Sequence, residues 1–367
     1  VTDHSTTDPF DARGASRPTT GRALGTPRRA PSRTPAFLLT IDTEGDDLWS
    51  RPHEITTRNL AFLPRFQALC ERFGFKPTYL TNWEALNDEG YQLFARDVLA
   101  RDQGEVGLHI HSWNSPPLIP LTADDFRYQP YLTEYSEELL REKVRVMTDR
   151  LEQVFARKML SHRGGRWAFN SVYARALVDN GYVVDCSVTP HRSWRSSQGD
   201  PAGSGGPDHS ASPEQPYYIE FGPGEPRLLE LPMTIMRRPC HGPELRLRQA
   251  LRKQPYRADW MRPDGRNLKR LLRIVDDVVA QGRGYLEFTL HSSEFMPGGS
   301  PTFRTGRDIE RLYADLEILF ERVSRRFCGA TLAAFAQTYS GRRGPPADIA
   351  YPSTADDAAP AGGAARR

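Results

Sequence analysis

The stretch Glu105-Val106-Gly107-Leu108-His109-Ile110-His111-Ser112-Trp113 sets the reading of this chain. A short apolar run ends in two histidines at i and i+2, and along a strand side chains at that spacing project to one side. Both imidazoles can therefore reach one ion from one strand end. The chain has nine histidines in 367 residues, so chance is a poor account of the pairing. A second polar cluster, Asp42-Thr43-Glu44-Gly45-Asp46-Asp47, closes another apolar run, Ala36-Phe37-Leu38-Leu39-Thr40-Ile41. Together the two clusters suggest a mixed histidine and carboxylate site for a divalent metal.

Outward from these ends, strand and helix patterns alternate. A buried strand ends at Asp42, a helical pattern covers 59–73, and Pro77-Thr78-Tyr79-Leu80-Thr81 reads as the next strand. A helix over 88–101 precedes the strand Glu105 to His109. Ser136 opens an amphipathic helix to about Arg157, with Glu137, Glu138 and Glu142 suited to its positive end. Lys158–His162 leads into Arg163-Gly164-Gly165-Arg166-Trp167. A helix over 170–180 precedes the strand 182–185, and residues 192–216 read as a flexible loop. Residues 228–232 are strand-like, 268–281 helical, Tyr285–Leu290 a strand ending at His291, and 308–326 the last helix. Repeated strand–helix units predict an α/β fold on a parallel sheet, closed or nearly so. Asp42, His109, Arg163, Asp185 and His291 all fall at C-terminal strand ends, the edge where chemistry gathers in a parallel barrel.

Composition bounds the rest. The pattern favours a single catalytic domain over 35–339, flanked by a disordered N-terminal segment, 1–34, and a disordered C-terminal tail, 340–367. A net charge of +3 does not by itself imply nucleic-acid binding. Cys70, Cys186, Cys240 and Cys328 are scattered with no CxxC, so neither a zinc ribbon nor a redox dithiol is indicated. No apolar run is long enough for a transmembrane segment. The first residues, Val1-Thr2-Asp3-His4, lack an apolar signal core, which makes the cytoplasm the default location.

Three protein ligands leave a position open for water, and a metal lowers that water's pKa from about 15.7 to as low as about 7. Asp42 and Glu44 are both candidates for a nearby general base. His291 is available as the acid that protonates the leaving group. Arg163 can hold the base carboxylate ionised and oriented.

At this point the chain resembles the polysaccharide deacetylases (NodB homology, carbohydrate esterase family 4), over about residues 36–335 and through five dispersed motifs. Thr40-Ile41-Asp42-Thr43-Glu44 resembles the first, and Glu105-Val106-Gly107-Leu108-His109 the approach to the second. Arg163-Gly164-Gly165-Arg166-Trp167 resembles the third, Val184-Asp185-Cys186-Ser187-Val188-Thr189-Pro190 the fourth, and Leu290-His291-Ser292-Ser293-Glu294 the fifth. The resemblance implies a distorted (β/α)7-type barrel of the glycoside hydrolase/deacetylase kind. It also implies metal-dependent hydrolysis of an N-acyl group, acetyl or formyl, on an amino sugar, in cell-surface polysaccharide biosynthesis of the O-antigen or capsule type.

By that likeness Asp42 is the catalytic base, Arg163 its partner and His291 the general acid, with Asp185 in the fourth motif a further catalytic candidate. Two departures mark a variant subgroup: Thr43 interrupts the usual acid pair, and Trp113 stands where the second metal histidine is expected. His111 is then the substitute, and the ligand set is Glu44, His109 and His111, with Asp46 in reserve. The ion is zinc first, with cobalt, ferrous iron, nickel or manganese as alternatives. Other readings are a hydrolase of a non-sugar amide on the same scaffold and a catalytically silent carbohydrate-binding relative.

Further histidines and a tryptophan, His53, His162, His191 and Trp194, are candidates to line the cleft. Residues 237–273 hold twelve Lys or Arg against three Asp or Glu, with Tyr256 and Trp260 interleaved. The plain reading is a solvated helical excursion. The functional one is a basic insertion over the site that holds a nucleotide- or lipid-linked amino sugar. Nucleic acid is not expected as a partner.

Overall fold

Apolar runs ending in acids and histidines become parallel strands that share one C-terminal edge. The computed structural model describes residues 34–339, save 252 and 253. The disorder expected for 1–34 and 340–367 concerns segments outside the described residues, Thr34 apart. The chain runs β1 (Ala36–Thr43), α1 (Leu63–Arg72), β2 (Thr78–Thr81), α2 (Trp83–Leu86), α3 (Glu89–Ala100) and β3 (Glu105–Ile110). It continues through α4 (Asp125–Tyr128), α5 (Glu137–Phe155), β4 (Ser161–Gly164), α6 (Ser171–Asp179) and β5 (Val184–Asp185). Then come β6 (Tyr217–Ile219), β7 (Leu228–Glu230), β8 (Ile235–Pro239), α7 (Gly242–Ala250) and β9 (Tyr256–Trp260). The last elements are α8 (Leu268–Ala280), β10 (Tyr285–His291), α9 (Gly306–Ser324), β11 (Cys328–Ala330) and α10 (Leu332–Thr338).

The helices start where the sequence places caps. The Asp88 side chain accepts from the Tyr91 N–H ahead of α3, and Ser136 from the Leu139 N–H ahead of α5. In α5 the buried stripe Leu140, Val144, Met147, Leu151 and Phe155 has helical spacing and faces the sheet core.

The main sheet has the order β10-β1-β2-β3-β4-β5-β7-β6, with β11 also on β1. All its pairs are parallel except β6 with β7, while β8 and β9 form a separate antiparallel pair. One side chain shows that the sheet curls. Arg163 of β4 stands four strands from β10, about 19 Å along a flat sheet. Yet its Nη2 donates to Glu287 Oε1 at 2.6 Å, and its Nη1 to Thr289 Oγ1 at 3.0 Å.

The curl does not close through a strand ladder: the sheet expected to be closed or nearly so is an open half-barrel, short of the distorted (β/α)7-type barrel that the resemblance implies. Between β7 and β10 the seam is made by the segment 231–234 and Met261. Leu231 N–H donates to Asp185 O, Met233 N–H to Val188 O, and Glu287 N–H to Thr234 Oγ1. The hydroxyl of Tyr285 donates to Pro232 O. Pro232 has no N–H to offer a ladder, and the chain turns away toward β8.

The inside of the curl is layered. Ala36, Leu38, Val184, Leu229, Leu231 and Tyr285 form an apolar base, with Leu332 of α10 packed into it. Above them on the same faces come Thr40, Asp42, Glu287 and Thr289, gathered around Arg163. The outer faces, such as Phe37, Leu39 and Ile41, pack on the helices. Short elements such as α2, α4, β6, β11 and α10 escape the sequence reading because runs of three to seven residues carry little periodicity. The segment 237–273 is not mainly helical: it is the β8–α7–β9 hairpin followed by the start of α8. No helix among the described residues is long and apolar enough to cross a membrane.

Candidate active site

Period-two alternation on β1, β4 and β10 aims Asp42, Arg163 and His291 toward the mouth of the curl. Arg163 is fully buried, and its Nη1 donates to Asp42 Oδ1 at 2.6 Å. Burial alone would raise the Asp42 carboxyl, but the charges of Arg163, His109 and His291 outweigh it and hold the group well below the usual range. Because the folded value is depressed, the stabilisation from this pair is complete above the ordinary carboxyl value of about 4 and fades only as pH falls toward the depressed one. Burial pushes Glu287, the second acid on Arg163, up to about 8 against the arginine's pull. Near neutrality the guanidinium is therefore balanced by one carboxylate, Asp42.

Glu44, His109 and His111 converge beside this pair, all three buried. The Nε2 atoms of the histidines lie 3.1 Å apart, and Glu44 Oε2 lies 3.5 Å from one and 3.3 Å from the other. A tetrahedral ion with bonds of about 2.0–2.1 Å needs ligand atoms about 3.3–3.4 Å apart, so the three atoms form one face of such a shell. The donor chemistry agrees. His109 donates Nδ1–H to Arg163 O at 2.9 Å, which leaves Nε2 as the atom that faces the ion. Burial opposes its charge, but Asp42 and Glu44 outweigh burial and raise its pKa, and a divalent cation at Nε2 would take the place of the second proton. Burial, together with the charge of His109, pushes His111 well below the ordinary histidine value, so its ring is neutral and offers a lone pair. The residues fit a divalent cation with nitrogen and oxygen ligands.

His111 lies one residue past the end of β3, stacked on Trp113 with ring centres 4.4 Å apart. Gly165 makes room for it, since a Cβ there would meet His111 Cδ2 at 2.3 Å and Ile110 O at 2.4 Å.

His291 faces the site with Nε2, 3.7 Å from Asp42 Oδ2 and 4.0 Å from Glu44 Oε1. Its Nδ1 lies 3.0 Å from Glu294 Oε2, which also accepts from the His291 backbone N–H at 2.9 Å and from Arg262 Nη2 at 3.0 Å. Burial would raise Glu294, but Arg262 and His291 bring it down to about 2, so it is an ionised acceptor that fixes the Nδ1–H tautomer. Trp49 sits edge-on to the imidazole at 5.0 Å.

These groups open into a cleft of about 350 Å³. Trp49, Trp113, Trp167 and Trp194 line it, four of the six tryptophans in the chain, with Tyr131, Arg51, Arg166 and Arg262.

The structure thus brings together Asp42, Glu44, His109, His111 and His291, with Arg163 directly behind Asp42. It does not bring in Asp185. That carboxylate is fully buried, 2.6 Å from His162 Nδ1 and 2.9 Å from Ser187 Oγ, and does not line the cleft. The reason is parity. Arg163 points inward on β4, so its neighbour His162 points outward to Tyr173 of α6, and Asp185 is the register partner of His162.

Asp46 is not against the histidines either. It accepts from Thr56 Oγ1 at 2.7 Å, Arg58 Nε at 2.9 Å and the Asn59 N–H at 2.9 Å. Asp46→Asn is therefore expected to lower stability by about 1–3 kcal/mol, as for a buried acceptor left mismatched, with bound metal unchanged. Metal loss in that variant, measured on the folded protein, would assign Asp46 to the ion after all.

Of the other candidates, Trp194 lines the cleft, whereas His162 is tied to Asp185, His191 pairs with Glu214, and His53 lies beside Phe126. Three of the twelve cations of the basic segment pair with its own three acids. Arg238 pairs with Asp259 and Asp277, Arg257 with Glu244, and Arg270 with Asp264. Only Arg262 from this segment lines the cleft among the described residues, and Arg252 lies outside them. Sequence reasoning passed over Glu294, Glu287, Arg262 and Arg51. For Glu287 the signal was present: in Tyr285–His291 the acid alternates with Leu286, Phe288 and Leu290, and so shares the face of His291.

No protein-family profile matches the sequence, and no curated protein matches it. Solved structures with a similar course of chain include a Mycobacterium smegmatis protein assigned as a polysaccharide deacetylase. The identity is 14%, the match covers 84% of this chain and 91% of that one, and the TM-score is 0.47. Puue allantoinase is similar at 14% identity, over 82% of this chain and 88% of its own, with a TM-score of 0.49. The 4-alpha-glucanotransferase of Thermococcus litoralis is similar at 13% identity over 84% of this chain, which spans only 39% of that protein, with a TM-score of 0.48. The three differ in activity, and at this level of likeness none of these activities transfers to this chain.

Proposed function

We propose that this protein is a metal-dependent hydrolase that removes an N-acyl group, acetyl or formyl, from an amino sugar used in a surface glycan. The observation that carries the hydrolytic part is the tetrahedral spacing of Glu44, His109 and His111 beside an arginine-held aspartate and a carboxylate-held histidine. The sugar comes from the resemblance of the five motifs to the polysaccharide deacetylases.

A divalent cation held by Glu44, His109 and His111 would supply Lewis acidity and lower the pKa of a water. Asp42 has one oxygen engaged by Arg163 and presents Oδ2 to the cleft, where it accepts the proton of the attacking water. His291, as an imidazolium with its Nδ1–H on Glu294, delivers its Nε2 proton to the amine nitrogen as the C–N bond breaks and is left as the neutral Nδ1–H ring, so the products are a carboxylate and a free amino sugar. Glu294 holds the ring by its Nδ1–H throughout. The gaps of 3.7 and 4.0 Å from His291 to Asp42 and Glu44 are wider than hydrogen bonds and leave the acid free to turn to a substrate atom.

The test is release of free amine from N-acetyl and N-formyl amino sugars by zinc- or cobalt-loaded protein. Turnover that a chelator abolishes and added metal restores is the expected result. Metal-loaded protein that releases amine from no acylated sugar would overturn the proposal.

A further inference from the structure

The proposed chemistry uses Asp42, Glu44, His109, His111 and His291, and leaves two cations of the same cleft without a task. Arg51 and Arg166 both line it, and neither makes an ion pair with a carboxylate among the described residues. Arg166 spends its donors on neutral oxygens: Nη2 on Ser197 Oγ at 3.1 Å and Gln198 O at 2.9 Å, Nη1 on Gln129 O. Its guanidinium lies 4.0 Å over the ring of Tyr131. Arg51 donates from Nη1 to Arg127 O. The acid Glu134 is turned elsewhere, accepting the N–H groups of Tyr131 at 2.7 Å and Asp200 at 3.0 Å. Burial lowers the pKa of Arg166 and the charge of Arg51 lowers it further, against the opposing pull of Tyr131 and of Glu134, which makes no ion-pair contact with it.

The backbone adds an independent sign. Arg51 has φ 57°, Arg166 φ 55° and Trp167 φ 64°, left-handed conformations that non-glycine residues seldom adopt. Such strained residues collect at ligand clamps, where surrounding structure holds a side chain in a costly direction. Here the strain orients two arginines and a tryptophan on one cleft.

We propose that Arg51 and Arg166 form an anion subsite, and that the amino-sugar substrate carries a negatively charged oxygen group, phosphoryl or carboxylate. The inference rests on the deacylase reading of the metal centre. A guanidinium fork presents paired N–H donors that match either anion, and in a partly buried cleft a charge-assisted contact gives selectivity over a neutral sugar.

The experiment is calorimetric binding to the zinc-loaded Asp42→Asn protein, which slows turnover. The probes are N-acetylglucosamine, its 1-phosphate, and the 6-carboxylate sugar N-acetylglucosaminuronic acid. At least one charged sugar is expected to bind tenfold or more tighter than the neutral one, and the preferred one names the anion. In the Arg51→Gln and Arg166→Gln variants that advantage falls toward unity. Arg166 also ties three loop oxygens, so the exposed Arg51→Gln variant carries the test by itself if Arg166→Gln fails to fold. Equal binding of all three sugars, or an advantage that survives in both folded variants, overturns the subsite. Failure of the metal-loaded wild-type protein to release amine from these sugars and from their N-formyl counterparts sinks the deacylase reading instead, and leaves the binding comparison standing.

Discussion

Asp42→Asn is expected to reduce turnover by a factor of about 10²–10⁴, the usual contribution of a positioned base, while the protein keeps its metal. The asparagine amide retains the shape of the carboxylate but offers no lone pair of comparable basicity at the Oδ2 position. It also removes the negative partner of Arg163, a fully buried cation. Glu287 Oε1 remains 2.6 Å from that arginine, and with its pKa of about 8 set largely by burial it can ionise in place of Asp42. The variant should therefore fold. The check pairs steady-state rates with metal content on the same preparation. Full activity in Asp42→Asn would mean that the proton leaves through another group, and loss of metal would make Asp42 part of the ligand shell.

His109→Ala should abolish both metal binding and turnover. The substitution removes one of three atoms spaced 3.1–3.5 Å apart, and two ligands cannot hold a zinc ion in competition with water at comparable strength. Stability gives a second readout. Zinc at a hundred times its dissociation constant stabilises a binding protein by about 2.7 kcal/mol. For a domain of about 300 residues that is a rise in Tm of roughly 4 °C. Wild-type protein should show this rise and His109→Ala should not. A variant that still binds one zinc per chain with the same rise would dismiss His109 as a ligand.

The site was legible because its chemistry sits at strand ends, where apolar runs stop at polar residues. Asp42, His109, Arg163 and His291 each close such a run, and a parallel sheet collects these ends on one edge. That His111 can join His109 at one ion was legible from their i, i+2 spacing, whereas its reading as the substitute for a ligand expected at Trp113 came only from the resemblance to the deacetylases. What the sequence withheld was which face each side chain takes. Asp185 also ends an apolar run, but its direction depends on register with His162, and that depends on pairings between strands 20 or more residues apart. Arg51 and Arg166 were opaque for another reason. Their place in the cleft follows from left-handed backbone at non-glycine residues, which no propensity announces. The open seam was hidden too, since strand counting cannot reveal that the chain after Pro232 bonds to β10 through side chains and a neighbouring loop.

The placement of β1 has a consequence for how the protein is made. This strand, which carries Asp42 and leads to Glu44, is the first of the sheet to leave the ribosome. All of it but Thr43 is paired along one edge by residues 285–291, and its first three residues on the other edge by residues 328–330. During synthesis it must therefore stand with one edge bare until nearly all of the described chain has emerged, a long wait for a strand as apolar as Ala36–Ile41. The site is assembled last, so a nascent chain interrupted before Tyr285 would expose a sticky strand edge and have no acid to set against its base.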